Sequence, residues 1–344
     1  MKLNNYNNIF FIGIGGSGMS ALANYFVGEN KRVIGYDKFE STNTNNLESK
    51  GVEIIYNDDI EEVGIEYLEP EKTLVIYTPA IPKTSKLLQY FITSGFVVLK
   101  RAEALGLIAN SSFCVAIAGT HGKTTTTSIL GHLLKSCNKS ATIFLGGISE
   151  NYNSNLIVNG KDICVVEADE FDKSFLTLKP NIACITSIDA DHLDIYNGLD
   201  DLKDNFNLFI KNIVPKGTLI ANEDLEIGGE SFGFESTSKY TIQNINLNNG
   251  CYNFDVCMDG EMTQNFKFKL PGKHNLSNAL AAIVIALKLD CKIEDLKLGL
   301  STFIGVKRRY SFHINSKDLV YIDDYAHHPE EINAIYNSLV ESYP

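Results

Sequence analysis

Twice in this chain a buried strand runs into a glycine-rich loop and out into a helix, and no other feature restricts the fold as much. Residues 8–14 lead into Gly13-Ile14-Gly15-Gly16-Ser17-Gly18, after which Met19, Leu22, Ala23, Phe26 and Val27 share one helical face. Phe113–Ala118 leads likewise into Gly119-Thr120-His121-Gly122-Lys123-Thr124-Thr125, ahead of a helix carrying Ile129, Leu130, Leu133 and Leu134. Strand, glycine turn and helix in that order are the building unit of a parallel α/β layer.

The pattern extends in both directions. Strands are expected at Arg32–Tyr36, Val52–Tyr56, Thr73–Thr78 and Phe96–Leu99, with a helix at Ser85–Thr93. Beyond the second loop, Ile163–Val166 and Ile182–Thr186 read as further buried strands. Residues 231–271 change character: Lys239–Leu247 and Tyr252–Met258 alternate around Asn248-Asn249-Gly250, and Phe266–Leu270 follows Asp259-Gly260. That predicts antiparallel hairpins. A long helix, Asn275–Leu289, restores the α/β theme. After Phe303–Arg309 the pattern restarts with a strand at Leu319–Ile322 and a helix opening near Pro329, striped by Ile332, Ile335, Tyr336 and Leu339. One strand and one helix cannot bury both of their faces, so a third domain is expected to begin here without being completed.

Composition narrows the function. The 344 residues are 44% hydrophobic and 21% charged, ample for a core, and the net charge of −12 argues against a nucleic-acid surface or a polybasic membrane anchor. The longest apolar stretch, Ala279–Leu287, is about half of what spans a bilayer. Neither a membrane nor a nucleic acid is an expected partner. The seven cysteines form no C-x-x-C pair, and Cys114, Cys164 and Cys184 lie in apolar strands. A reducing cytoplasm is the expected location.

Four groups of residues carry chemistry. In the second glycine loop, backbone N–H groups and a helix N-terminus would face a polyphosphate, Lys123 would reach its β- and γ-phosphates, and Thr124 would offer a hydroxyl to magnesium. The full phosphate-loop pattern wants an earlier glycine where Ile117 stands, so the loop is a shortened one. The first loop fits G-x-G-x-x-G, with Asp37 ending the next strand; NAD, another nucleotide diphosphate and simple tight packing all remain open for it. Acidic strand ends follow at Glu167-Ala168-Asp169-Glu170 and at Asp189-Ala190-Asp191-His192-Leu193-Asp194; a carboxylate with a neighbouring His or Asp suits nucleotide-bound Mg²⁺, and solvated loop charge with helix capping is the alternative. Last, Asn275 and Asn278 share a helix face that suits a base edge or a cap, and Arg308-Arg309 could neutralise phosphate or simply form a basic surface.

Taken together, the blocks GIGGSGMS (13–20), GTHGKTT (119–125), EADEFD (167–172), DHLD (191–194), PGKHNLSN (271–278), GVKRR (305–309) and DDYAHHP (323–329) resemble the Mur ligase family along the whole chain. The resemblance implies an α/β chain of three domains. A Rossmann-like UDP-sugar domain would span 1–109, a central P-loop ATPase domain 110–302, and a linker with the start of a C-terminal Rossmann-like, amino-acid-binding domain 303–344. It implies that Gly13, Gly15, Gly16, Ser17, Gly18 and Asp37 bind a UDP-sugar. Residues Gly119 to Thr125, with Asn275, Asn278, Arg309 and Asp324, would hold ATP. Thr124, Glu167 and His192 would ligate Mg²⁺, and Lys123, Glu167, His192 and Arg309 would be catalytic. The implied activity joins L-alanine to the lactyl carboxylate of UDP-N-acetylmuramate through an acyl phosphate, in peptidoglycan precursor synthesis. A tripeptide-recycling ligase, a nucleotide-binding fragment without turnover and, more remotely, an NAD-linked oxidoreductase are the alternatives.

Overall fold

The computed structural model describes residues 3–189, 196, 198–248, 250–316 and 318–343. The chain divides into two compact units, Met1–Ser111 and Ser112–Pro344.

The first unit is a parallel sheet of β1 (Asn8–Ile12), β2 (Arg32–Tyr36), β3 (Glu53–Ile55), β4 (Thr73–Tyr77) and β5 (Val97–Lys100), in the order β3-β2-β1-β4-β5. Its helices are α1 (Ser17–Gly28), α2 (Thr42–Glu48), α3 (Lys86–Thr93) and α4 (Arg101–Ala109). β1 is buried along its whole length, as a central parallel strand with layers on both faces must be. Local caps fix the helix starts. The Ser41 and Thr44 side chains close a reciprocal capping box on α2, and the Asp58 carboxylate accepts from the Ser85 hydroxyl and the Lys86 and Leu87 N–H groups, each at 2.9 Å. Successive strands are added on one side of β1 (β2, β3) and then on the other (β4, β5), so the carboxyl end of β1 is the switch point, where ligands of open α/β sheets bind. The first glycine loop lies at that end.

The second unit is built on a mixed sheet. Its strands are β6 (Phe113–Ala118), β7 (Ala141–Ser149), β8 (Ser154–Val158), β9 (Ile163–Ala168), β10 (Ile182–Ile185), β11 (Thr218–Asn222), β12 (Glu230–Gly233), β13 (Tyr240–Asn248), β14 (Cys251–Met258) and β15 (Glu261–Phe268). The order is β15-β14-β13-β12-β11-β10-β6-β9-β7-β8. The expected hairpin region is β13-β14-β15, joined to the parallel part through the β12–β13 pair. Among its helices are α5 (Lys123–Ser136), α6 (Leu199–Lys211), α7 (Lys273–Lys288) and α8 (Ile293–Thr302). α5 and α7 pack together over the sheet, burying Ile129, Leu130 and Leu133 against Ala279, Leu280 and Ile283. β6 has β10 on one side and β9 on the other, so its carboxyl end is again a switch point.

The chain after Arg309 differs from expectation in one respect. A lone strand was anticipated; instead β16 (Ser311–Asn315) pairs antiparallel with β17 (Val320–Asp323) before α9 (Pro329–Ser342) begins. Phe312, Ile314, Tyr321, Ile332, Tyr336 and Val340 on these elements are all exposed.

Candidate functional site

β6 delivers the second glycine loop to the switch point, and two glycines there are obligatory. Gly119 and Gly122 have φ of +136° and +83°. A Cβ at Gly119 would lie 2.1 Å from Thr186 Oγ1, and one at Gly122 would lie 2.5 Å from Asn278 Oδ1. The loop is tied to the end of β10: the Thr120 N–H donates to Ser187 O (3.1 Å), the His121 N–H to Ser187 Oγ (2.9 Å), and Thr186 Oγ1 to His121 O. Thr120 Oγ1 also accepts from the Asp189 N–H at 3.0 Å.

At the start of α5, the Thr124 hydroxyl donates to Glu167 Oε2 at 2.9 Å, and the Gly146 N–H donates to Glu167 Oε1. Burial pushes the Glu167 carboxyl above the ordinary carboxylate range, against those two bonds and the charges of Arg309 and Lys123. A hydroxyl and a carboxylate side by side form a hard oxygen pair. Nucleotide-borne Mg²⁺ needs one or two such protein ligands, so these residues fit it. Among the described residues no cluster of three or more His, Cys, Asp or Glu could hold a metal by itself. His192, expected as a further ligand, lies outside the described residues, with Asp191 and Asp194.

Beside the loop is a cavity of about 350 Å³, lined among others by His121, Gly122, Asn275, Asn278, Arg309 and Asp324. The two asparagines are thus brought together with the loop. Asn275 Nδ2 donates to Pro271 O (2.6 Å), which caps the entry to α7, and Asn278 Oδ1 accepts from Thr126 Oγ1 (3.2 Å). Asp324 accepts from the Tyr310 and Ala326 N–H groups at 2.6 and 2.7 Å. Burial raises its pKa while those bonds and Arg309 oppose the rise. Glu331, on the first turn of α9, faces the loop. Burial alone would raise its pKa, but the His121 ring at 3.1 Å and the His327 and His328 N–H groups hold it down at about 2. Burial lowers His274, on the cavity wall, to about 4.

Lys123 does not line that cavity. Its ammonium lies 2.8 Å from each carboxylate oxygen of the fully buried Glu170, and bonds Gly119 O at 2.5 Å. In the sequence Glu170 is one of the acidic strand-end residues that suit a metal, and nothing there marks it as the partner of Lys123. Ser187 and Thr186 were passed over; their only signal was position at a strand end.

In the first unit, Gly13 to Gly18 form the turn between β1 and α1. Asp37 Oδ2 accepts from the Gly15 N–H at 2.7 Å, so its carboxylate braces the loop. A residue the sequence did not single out is Arg101, at the start of α4. Its guanidinium lies against Gly18 at the α1 N-terminus, where a Cβ would approach Nη1 to 2.9 Å.

Comparison with known proteins yields a consistent set. Residues 8–113 match the model of the Mur ligase family catalytic domain, and residues 117–286 that of the Mur ligase middle domain. A UDP-N-acetylmuramate–L-alanine ligase of Flavobacterium psychrophilum is 50% identical over 344 residues, covering 100% of this chain and 77% of the relative. The crystal structure of a UDP-N-acetylmuramate–alanine ligase of Thermotoga maritima matches with a TM-score of 0.84 at 30% identity, covering 98% of this chain and 78% of that one. A ligase for UDP-N-acetylmuramate and L-alanyl-γ-D-glutamyl-meso-diaminopimelate, from Neisseria meningitides, matches with a TM-score of 0.78 over 88% of this chain and 100% of that one. At 24% identity it shares the fold alone.

Proposed function

The chain belongs to the Mur ligase family, and from that premise we propose that it is the ATP-dependent enzyme joining L-alanine to UDP-N-acetylmuramate in peptidoglycan precursor synthesis. The observation that carries the reading is the loop at 119–124, with Lys123, Thr124 and Glu167 gathered at the carboxyl ends of β6 and β9.

In this reading the polyphosphate of ATP lies along the N–H groups of the loop and the α5 N-terminus, where the helix dipole favours negative charge. The base lies in the cavity at Asn275 and Asn278. Thr124 and Glu167 hold Mg²⁺, which supplies charge neutralisation to the phosphates. His192 is proposed as a further ligand from its place in the DHLD block. Lys123 and Arg309 offset the charge that spreads over the transferring phosphoryl group, and such transfer needs mainly positioning and electrostatics. The lactyl carboxylate attacks the γ-phosphorus and ADP leaves. The alanine amine then attacks the acyl carbon, and phosphate departs. Asp324 braces the segment that follows Arg309.

The UDP-sugar is assigned to the first unit, with its diphosphate at Gly15, Gly16, Ser17 and Gly18 and Arg101 beside it. Asp37 is engaged by the loop itself, which weakens its use as the ribose reader of an NAD site. We place the enzyme in the cytoplasm, in keeping with seven free cysteines. No helix among the described residues is long and apolar enough to cross a membrane.

The test is Lys123→Ala in the complete enzyme. The expected result is loss of ADP formation with UDP-N-acetylmuramate and L-alanine present. Unchanged ATP binding and turnover would overturn the assignment of the loop.

A further inference from the structure

The Lys123 ammonium is saturated before any nucleotide arrives. It has three hydrogens to give, and within reach stand both Glu170 oxygens at 2.8 Å, Gly119 O at 2.5 Å and Thr120 O at 3.4 Å. To meet a phosphate, the lysine must release one of these partners. The partners are not equivalent. Glu170 is a charged group with no exposed surface, whereas the two carbonyls are neutral main-chain acceptors. Withdrawing an ammonium that lies 2.8 Å from both oxygens of a buried carboxylate is more unfavourable than giving up a neutral carbonyl, so exchange falls on the carbonyls, and the Glu170–Lys123 pair persists.

Glu170 is itself held from behind. The buried Tyr196 hydroxyl donates to its main-chain oxygen at 2.5 Å, as does the Lys173 N–H at 3.0 Å. The turn that follows keeps Asp172 and Lys173 at positive φ, 52° and 55°, and anchors Phe175 against Phe209 with ring centroids 5.1 Å apart. The carboxylate is therefore a fixed point to which a long, otherwise mobile side chain is tied.

We propose that Glu170 is a positioning residue for phosphoryl transfer: it keeps hold of the Lys123 ammonium through the reaction, so the lysine presents its remaining hydrogen to the phosphates from one place. The proposal deepens the functional reading above and rests on it. Glu170 touches neither substrate in this scheme and acts only through Lys123. A bidentate carboxylate removes the freedom of the lysine's terminal torsions, and misplacement by about 1 Å can cost about a hundredfold in rate. Glu170→Gln keeps the shape but loses the charge and one acceptor.

The experiment is a double-mutant cycle in the complete enzyme, using Glu170→Gln, Lys123→Met and both together. Turnover, KM for ATP, MgATP affinity by calorimetry and melting temperature are read for each. Glu170→Gln is expected to lower kcat by roughly ten- to a hundredfold, with MgATP affinity held within about threefold, a loss confined to the transition state. Lys123→Met takes an ammonium away from a buried carboxylate, so its melting temperature falls, and adding Glu170→Gln restores part of that loss. In the Lys123→Met background, Glu170→Gln should leave residual turnover unchanged. Additive losses, or a Glu170→Gln enzyme with full kcat, would overturn the proposal. If Glu170→Gln does not fold, Glu170→Asp keeps the charge and shortens the reach. An unchanged kcat in that variant overturns the proposal, and a lowered kcat at unchanged MgATP affinity supports it. Intact ATP binding and turnover in Lys123→Met would overturn the phosphate-loop reading and this proposal with it. Lost function in Lys123→Met with additive behaviour overturns this proposal alone.

Discussion

At Gly122 a single hydrogen in place of a methyl group holds two requirements together. The residue sits at φ +83°, a region that costs an L-residue about 1–2 kcal/mol, and it faces Asn278 Oδ1 at a separation no Cβ tolerates. Gly122→Ala must therefore shift the start of α5, the Asn278 amide or both. Each 1.4 kcal/mol is tenfold in affinity, so MgATP binding is expected to weaken by roughly tenfold or more, measured by calorimetry. Retained affinity would mean that the loop and Asn278 do not jointly form the nucleotide site. The same residue scale explains why the pairing of Glu170 with Lys123 is not legible in the sequence. Lys123 could be assigned a phosphate partner because glycines and the following threonine are its neighbours in the chain. Its carboxylate partner lies 47 residues away and is reached only when β6 and β9 pair. Spacing along a chain carries no information about such a contact.

At the scale of elements, what could be read from the sequence follows burial. The central strands are unbroken apolar runs, and α7 was expected at Asn275–Leu289 and is found at Lys273–Lys288. Several of the elements that escaped lack local signals. α4 opens on Lys100, whose N–H is capped by the Glu103 side chain at 2.7 Å, and Gly106 interrupts its interior. α8 starts after Lys292 with no side-chain cap, and the turn between β7 and β8 has no Asn-Gly or Asp-Gly pair. β16 is mostly exposed, so it gives no buried alternation to detect.

The start of α7 also carries a pH response. His274 titrates near 4 in the folded protein because burial disfavours its cation, with Glu331 opposing the shift, against 6.5 for an ordinary histidine. Its folded pKa is depressed, so its contribution to stability is whole above about pH 6.5 and is lost as the pH falls toward 4. The upper bound is on the order of 3 kcal/mol. Glu331, held at about 2, adds a second loss that begins only near 4.5. The expected outcome is a melting temperature that declines from pH 6.5 downward, with the upper part of that decline flattened in His274→Asn. An equal slope in wild type and variant between pH 6.5 and 5 would show that another group dominates.

On the scale of the whole molecule, each compact unit has its own sheet, its own core and its own glycine loop at a switch point. In the function proposed above, that duplication gives two anionic ligands two addresses in a chain whose net charge of −12 does not favour either of them. Binding must then be local: N–H groups of a loop, a helix N-terminus, and one or two cations such as Arg101 in the first unit or Lys123 and Arg309 in the second. Local binding has a local readout. A ligand at a hundred times its Kd stabilises the state that binds it by about 2.7 kcal/mol, and amides whose exchange requires opening that region slow accordingly. UDP-N-acetylmuramate alone is expected to slow hydrogen exchange around residues 13–20 and leave 119–126 unchanged. MgATP alone is expected to do the reverse. The first loop is the more exposed assignment, because a G-x-G-x-x-G turn also serves dinucleotides and simple tight packing. Protection of 13–20 by NADH but not by the UDP-sugar would therefore remove the sugar from the first unit, while leaving the ATP site of the second to stand on its own residues.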